Sequence, residues 1–519
     1  MTRSDPRPAR WRAAAALVAL LCVAPFAGCV STPLPEREWV LLRTDHYEIW
    51  SSLSADETKR LASELEGFRA SAEFLWGSAL PAAPRPTQVY AFDDRGVGRP
   101  FSYRGNRSYL LPRQRGDVIV LRTGGGWEGD ATLELKLEVA RRLYWNASLD
   151  PLPPWFEEGM AQLASTLEIR GEAARVGAPR SDHLAVLQQS QWITFGRMLG
   201  ASDLVGWAPL DRSLLEAESW ALCHDLVLSE PRRDDSHDAL ARFRNRIRAG
   251  SGPLEATRRA YGDESQLERE TFEYVRADKF DMLVVPMPSS GAHAGVRAVP
   301  RQEITEELGL LALAIGERDQ AARWLDRSLA QGAGSARAMA AMGDVLEARG
   351  DADGADTRYR SALAAAPDDP IVQLGLAELL QARAAAATDP ERRAALLARA
   401  REAYQRAIEL APDLPEAYAG LAATHLVDGE DPAGGLAAAR TAGTLLPGDT
   451  GIHMLEARLA LAAGDRETAR RQATLSLSRA RSRSEIDAAR SLLDRIDALA
   501  AARRPSRAAA LPCCARVDS

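Results

Sequence analysis

Apolar positions follow two rhythms in the first half of the chain. Leu61, Leu65, Phe68, Ala72 and Leu75 recur at three- and four-residue steps and predict a helix over Ala55 to Trp76. Trp39 to Trp50 partly alternates and predicts strand, as does Thr87 to Phe92. Ser108 to Leu111 and Asp117 to Leu121 predict a hairpin around Pro112 to Gly116. Helical spacing returns over Thr132 to Trp145 and Pro154 to Thr166, a second hairpin follows over Leu167 to Val176, and Ser213 to Phe280 reads as helix. Residues 38–285 are therefore expected to form an α+β unit, a small sheet plus helices.

Further on, the strand rhythm gives way to a longer period. Gly309 and Gly343 are 34 residues apart, as are Gly316 and Gly350, and Ala321 and Ala355. Between Ala336 and Asp369 the order is Met339, Met342, Gly343, Leu346, Ala355, Tyr359, Ala362 and Pro367. Small residues let two helices cross closely, large ones fill the gap, and proline ends the second helix. The series resembles the tetratricopeptide repeat, which implies an all-α repeat solenoid over 302–500. The next unit keeps Leu376, Ala377, Ala400, Tyr404, Ala407 and Pro412, with an insertion of about ten residues near Ala385 to Arg393 expected between its helices. A third unit runs from Glu416 with Leu421, Ala422 and Pro447, its second helix weakened by Gly434 and Gly435. A fourth carries Ala457, Gly464 and Ala469, and Ile486 to Ala500 reads as an amphipathic cap. The resemblance implies a groove lined by the first helices that takes an extended peptide or a partner helix. No clamp of Lys, Arg and Asn recurs on successive first helices, so a receptor specific for a C-terminal carboxylate is not supported.

Composition adds bounds. A chain of 519 residues exceeds one compact core and predicts two or three domains. A net charge of −7 gives no reason to expect a nucleic-acid partner. At the start, Arg3, Arg7, Arg10 and Arg12 precede an apolar run, Ala13 to Pro25, too short to span a bilayer as a helix. It ends in Phe26-Ala27-Gly28-Cys29, which resembles the lipobox of bacterial lipoprotein signal peptides, with phenylalanine where leucine is usual. The resemblance implies a signal peptide over 1–29, lipid on Cys29, a tether over 30–37 and attachment to a membrane. Val30 follows the cysteine, and no aspartate there suggests inner-membrane retention, so an outer-membrane anchor facing the periplasm is expected. The other cysteines, Cys22, Cys223, Cys513 and Cys514, form neither a disulfide framework nor a CxxC site. Residues 286–301, with Ser289-Ser290-Gly291, are expected as a linker, and 501–519 as a disordered tail.

Candidate chemistry concentrates between 132 and 166. Pro153-Pro154-Trp155-Phe156-Glu157-Glu158-Gly159-Met160-Ala161 resembles the proline-tryptophan-x-x-Glu-Gly-x-Ala segment of gluzincin-type metallopeptidase-like domains. Glu218-Ser219-Trp220-Ala221-Leu222-Cys223-His224 resembles the downstream helix of the same family. The resemblance covers about Glu38 to Phe280 and implies a gluzincin-like fold with Glu158 as third zinc ligand. The family also has HExxH, two histidines one helical turn apart that bind zinc and a glutamate that activates water. Here that place holds Leu137-Glu138-Val139-Ala140-Arg141. Glu138 matches the general base, while Leu137 and Arg141 stand where histidines would be. Leucine cannot ligate, and a guanidinium repels a dication. The expectation is a degenerate, catalytically inactive domain without metal or cofactor, in which Arg141 supplies Glu158 or Glu138 with the positive charge that zinc would have given. The alternative there is an Arg141 directed to solvent.

Other features are weaker. Gly124-Gly125-Gly126 lacks a P-loop lysine, and Asp234-Asp235 with His237 reads as a solvated helix start. Asn106-Arg107-Ser108 and Asn146-Ala147-Ser148 match a glycosylation pattern that means little beside a bacterial-type leader. The expected function is a membrane-anchored envelope scaffold that binds proteins or peptides through its repeats. The alternatives are an active metallopeptidase or hydrolase with a non-standard site in 132–166, and a glycan-binding cleft.

Overall fold

The computed structural model describes residues 33–93, 101, 108–122, 127, 132–148, 152–170, 173–201, 207–286, 295–331, 335–480 and 482–501. The leader with Cys29, residues 30–32 of the tether, Asn106, Gly124 to Gly126, Ser289 to Gly291 and the tail beyond 501 lie outside the described residues.

Two short strands open the fold, β1 (Trp39–Arg43) and β2 (Tyr47–Ser51). Helix α1 (Ala55–Trp76) follows. It begins at a capping box, in which the Ser54 side chain accepts from the Glu57 N–H while the Glu57 side chain takes the Ser54 N–H. It stops at Gly77, whose φ of 72° suits only glycine well. Strands β3 (Thr87–Ala91), β4 (Tyr109–Leu111) and β5 (Val118–Leu121) come next. Helices α2 (Leu133–Asn146) and α3 (Pro154–Ser165) then lead to β6 (Glu168–Arg170) and β7 (Ala173–Val176). The helical stretch divides into α4 (Ser181–Gln189), α5 (Phe195–Gly200), α6 (Pro209–Leu228), α7 (Ser236–Arg248), α8 (Pro253–Tyr261) and α9 (Glu264–Arg276). It ends in β8 (Leu283–Pro286) and β9 (Arg297–Val299).

Strands β4-β5-β3-β2-β1-β9 form one sheet in that order, and β6-β7-β8 a second. The β2-to-β3 and β3-to-β5 pairs are parallel, and α1 makes the crossover between β2 and β3. Alternate residues of these strands enter different cores. Ile49, Val89 and Ile119 pack under Leu61, Leu65 and Phe68 of α1. Their neighbours Trp50, Tyr90 and Val120 pack on the opposite face against Ile304, Leu308, Leu311 and Met342 of the repeats.

The repeats are helical hairpins in series: α10 (Arg301–Ala314) with α11 (Arg318–Ala330), α12 (Ala336–Ala348) with α13 (Ala352–Ala365), and α14 (Pro370–Ala386) with α15 (Pro390–Leu410). These are followed by α16 (Pro415–Asp428) with α17 (Pro432–Leu445), α18 (Thr450–Ala462) with α19 (Arg466–Arg479), and the closing α20 (Arg483–Ala501). Gly343 shows why the small positions are small: a Cβ there would lie 2.7 Å from the Tyr359 ring of the paired helix. Ala321, Ala355 and Tyr359 are buried at such crossings, as are Gly309, Gly343 and Tyr404, while Pro367 and Pro412 follow the ends of α13 and α15.

Three expectations are revised. The segment 286–301 is not linker throughout, since β9 pairs with β1 at the sheet edge, Trp39 opposite Val299. The sheet and the first repeats share one core, because the strands carry large apolar residues on both faces and both must be covered. The extra residues near 385–393 leave only a short connection, 387–389, between the two helices. Helix α14 runs to Ala386 and α15 starts at Pro390, the alanine-rich insertion being drawn into longer helices.

Candidate functional site

Helix α2 starts at Thr132, whose hydroxyl accepts from the Leu135 N–H at 3.2 Å. From there the helical period sets Glu138 and Arg141 one turn apart. Helix α3 starts at Pro154 and is anchored by Trp155 and Phe156, both buried in the core. That anchoring draws the next two residues, Glu157 and Glu158, inside as well. Gly159 lets α3 approach α6: a Cβ there would lie 2.4 Å from the Ser219 carbonyl oxygen and 2.5 Å from Cys223 Sγ.

Arg141 points inward. Its Nε donates to Glu158 Oε2 at 3.2 Å and its Nη2 to Glu158 Oε1 at 2.5 Å, a bidentate pair. Its Nη1 donates to Glu138 Oε1 at 2.5 Å. Arg141 and Glu158 are 8% and 6% exposed, so the guanidinium is set in the interior and not on the surface. Burial opposes the Arg141 charge, but Glu158 and Glu138 outweigh it and push its pKa up. Leu137 packs against the apolar core.

A second layer that sequence reading missed completes the cluster. Gln162, one turn after Glu158, donates to Glu158 Oε1 at 2.7 Å. The Gln162 side-chain oxygen Oε1 accepts from Arg180 at 2.6 Å and lies 3.1 Å from His183 Nε2. Burial, then the nearby Arg180 charge, lowers the His183 pKa to about 4, which leaves the ring neutral at pH 7. The only sequence signal for Gln162 was its spacing of four from Glu158; nothing local marked Arg180 or His183.

The donor set does not fit a zinc ion. Among Leu137, Arg141 and Glu158 only the glutamate can ligate, and a cation already occupies both of its oxygens. His224 is directed elsewhere. Its Nε2 donates to the Gly177 carbonyl at 3.0 Å, and its Nδ1 accepts from the Tyr274 hydroxyl at 2.8 Å. His46 pairs with Glu66 at 2.7 Å, and Asp235 pairs with Arg242 at 2.6 Å. Burial pushes the Cys223 thiol pKa up, away from the reactive thiolate.

The neighbouring carboxylate takes a different partner. Glu157 accepts from Arg479, the last residue of α19, and so ties this site to the far end of the repeats. Around it Arg142 donates to the Gly448 carbonyl at 3.1 Å, and Asn146 Oδ1 accepts from the Gly448 N–H at 2.9 Å. At the other end the Tyr90 hydroxyl donates to Glu307 at 3.2 Å. Between these joints the β4–β5 turn meets the first helices of the repeats. Arg115 pairs with Glu378 of α14, and Gln114 Nε2 reaches Asp449 at 3.4 Å. The first-helix face is thus covered, over part of its length, by the chain's own N-terminal unit.

No family model matches the chain. No curated protein matches it. Several solved structures resemble the helical part. A thermophilic TPR protein of Thermus thermophilus is 21% identical, over 37% of this chain and 98% of that one, with a TM-score of 0.33. The pilF protein of Pseudomonas aeruginosa is 19% identical, over 40% of this chain and 92% of that one, with a TM-score of 0.31. PilW, a type IV pilus biogenesis factor, is 16% identical, over 40% and 94%, with a TM-score of 0.31. The repeat assignment stands on this chain's own 34-residue period and on the helix crossings built around it.

Proposed function

We propose that the protein is a membrane-anchored envelope scaffold that binds other proteins through its tetratricopeptide repeats and carries a peptidase-like domain that does not hydrolyse peptides. The observation that carries this reading is the Arg141 guanidinium, bonded to both Glu158 oxygens and to Glu138. In the family that the sequence resembles, those carboxylates serve zinc and water. Here Arg141 satisfies them, so their role is to hold α2 against α3. Lipid on Cys29 would keep the scaffold at a membrane surface, and the outer membrane facing the periplasm is our choice of site.

The test is direct. The purified full chain is assayed for bound zinc and for cleavage of casein and of a peptide library, with and without chelator. Absence of both stoichiometric metal and chelator-sensitive cleavage is expected. Their presence would favour the alternative, a hydrolase with a non-standard site. Metabolic labelling with a fatty-acid probe, lost on Cys29→Ala, tests the anchor.

A further inference from the structure

The face that repeats of this type offer to partners has a definite charge. Asp344 on α12 and Glu378 on α14 each follow the small residue of their helix, Gly343 and Ala377. Glu416 on α16 lies seven residues, about two turns, before Ala423, which follows the corresponding small residue Ala422, and so falls on the same helical face. Three successive first helices therefore present carboxylates toward one line.

The β4–β5 turn lies on that line. Arg115 pairs with Glu378 and is also drawn by Glu416 and Asp344. The charges of Glu378 and Glu416 also reach Arg113, against its burial and the repulsion of Arg115. Of the turn's two arginines, Arg115 thus pairs with one carboxylate and feels the other two, and Arg113 feels Glu378 and Glu416.

The fit is incomplete. Glu416 is 5% exposed, yet neither of its carboxylate oxygens has a hydrogen-bond partner. A buried carboxylate without donors is strongly disfavoured. Its own backbone N–H, then Arg115 and Arg85, favour its charge without meeting either oxygen in hydrogen-bond geometry, and Glu378 repels it. The Arg115–Glu378 pair is itself open to water, with side chains 29% and 45% exposed. An exposed ion pair of this kind holds weakly.

We propose that the acidic first-helix face is the binding site for an arginine-bearing extended segment of a partner protein, and that the Arg113–Arg115 turn is the chain's own occupant, displaced when such a segment also supplies donors to Glu416. This deepens the scaffold reading and rests on it. The cis occupant competes with the partner and lowers its apparent affinity by the fraction of molecules in which the face is closed.

The probe is a short fluorescent peptide carrying Arg-Gln-Arg-Gly-Asp, the sequence of the turn, measured by anisotropy against the full-length protein. A control peptide has both arginines replaced by citrulline. Arg113→Gln with Arg115→Gln should raise affinity for the arginine peptide by about tenfold or more, by removing the competitor. Glu416→Gln should lower it by a similar factor while leaving the protein at least as thermally stable, because the residue has no partner to lose. That combination separates a binding residue from a merely structural one. Equal affinity of the native and turn-substituted proteins, or indifference to Glu416→Gln, would overturn the inference, as would equal binding of the citrulline peptide. If the turn-substituted protein fails to fold, Glu416→Gln alone decides. Should these arms fail while an identified envelope protein still binds the native chain through another surface, the scaffold reading survives without this one.

Discussion

Arg479 and Glu157 meet in the interior across 322 positions of the chain, with Arg479 Nη2 and Nε at 3.1 and 3.3 Å from Glu157 Oε1. Arg479 is fully buried and also donates to the carbonyls of Pro447 and Ser148. Its guanidinium lies 5.9 Å from the Trp145 ring centroid. One side chain thus closes the repeats onto α2 and α3. Losing one partner of a buried pair leaves the other charge uncompensated, at a cost of about 3–5 kcal/mol. Arg479→Ala should therefore lower the denaturant midpoint strongly. Arg479→Met with Glu157→Gln should recover much of the loss, since neither charge then remains. A double-mutant cycle by urea melts checks both, and additive effects would show that the pair is not coupled.

The same logic applies to Arg141 with a different signature. Arg141→Ala would take the guanidinium from buried Glu158, which Gln162 still serves with one hydrogen bond, and about 3–5 kcal/mol of destabilisation is expected. Adding Glu158→Gln should restore part of it. Arg141→Lys should restore less than the charge alone suggests, because one ammonium cannot reproduce the fork to Glu158 and the third bond to Glu138. Thermal melts of the four proteins give the order. If Arg141→Ala melts with the parent protein, the guanidinium does not hold the two helices together.

Local signals made the elements legible. The period of α1, the two hairpins and the 34-residue spacing all act within short stretches of chain, and the structure places them within a residue or two of where the pattern does. Docking was harder to read because it joins residues hundreds of positions apart. One sign of it was present. Ile49 with Trp50, Val89 with Tyr90 and Ile119 with Val120 put large apolar groups on both faces of the sheet, so a second cover was required. Charge held another sign, since Asp344, Glu378 and Glu416 share a helical face, an acidic pattern that a search for basic clamps passes over. Gln162, Arg180 and His183 gave no comparable sign, because their meeting depends on how β7 returns the chain to α3.

The joint at Tyr90 should respond to pH. Burial, then the nearby charges of Glu306 and Glu48, raises the Glu307 pKa to about 7, against the hydrogen bond from Tyr90 and the attraction of Arg337. Burial likewise raises Asp344 to about 6, opposed by the Tyr359 hydroxyl and Arg115 and helped by Glu378 and Glu347. Both carboxylates hold protons in the folded protein that the unfolded chain, with ordinary carboxylate values near 4, has already released. Their effect is therefore a stability that is fullest in acid and is lost as pH rises toward 7. His183 acts in the opposite sense, since its folded value near 4 lies below the ordinary 6.5 and favours the folded state as the unfolded imidazole loses its proton. Glu307→Gln isolates the first effect. The variant and the native protein should melt at similar temperatures near about pH 5, and the variant should melt higher near about pH 7.5, where only the native side chain is ionised. Parallel melting curves across that range would mean that Glu307 does not titrate in the joint.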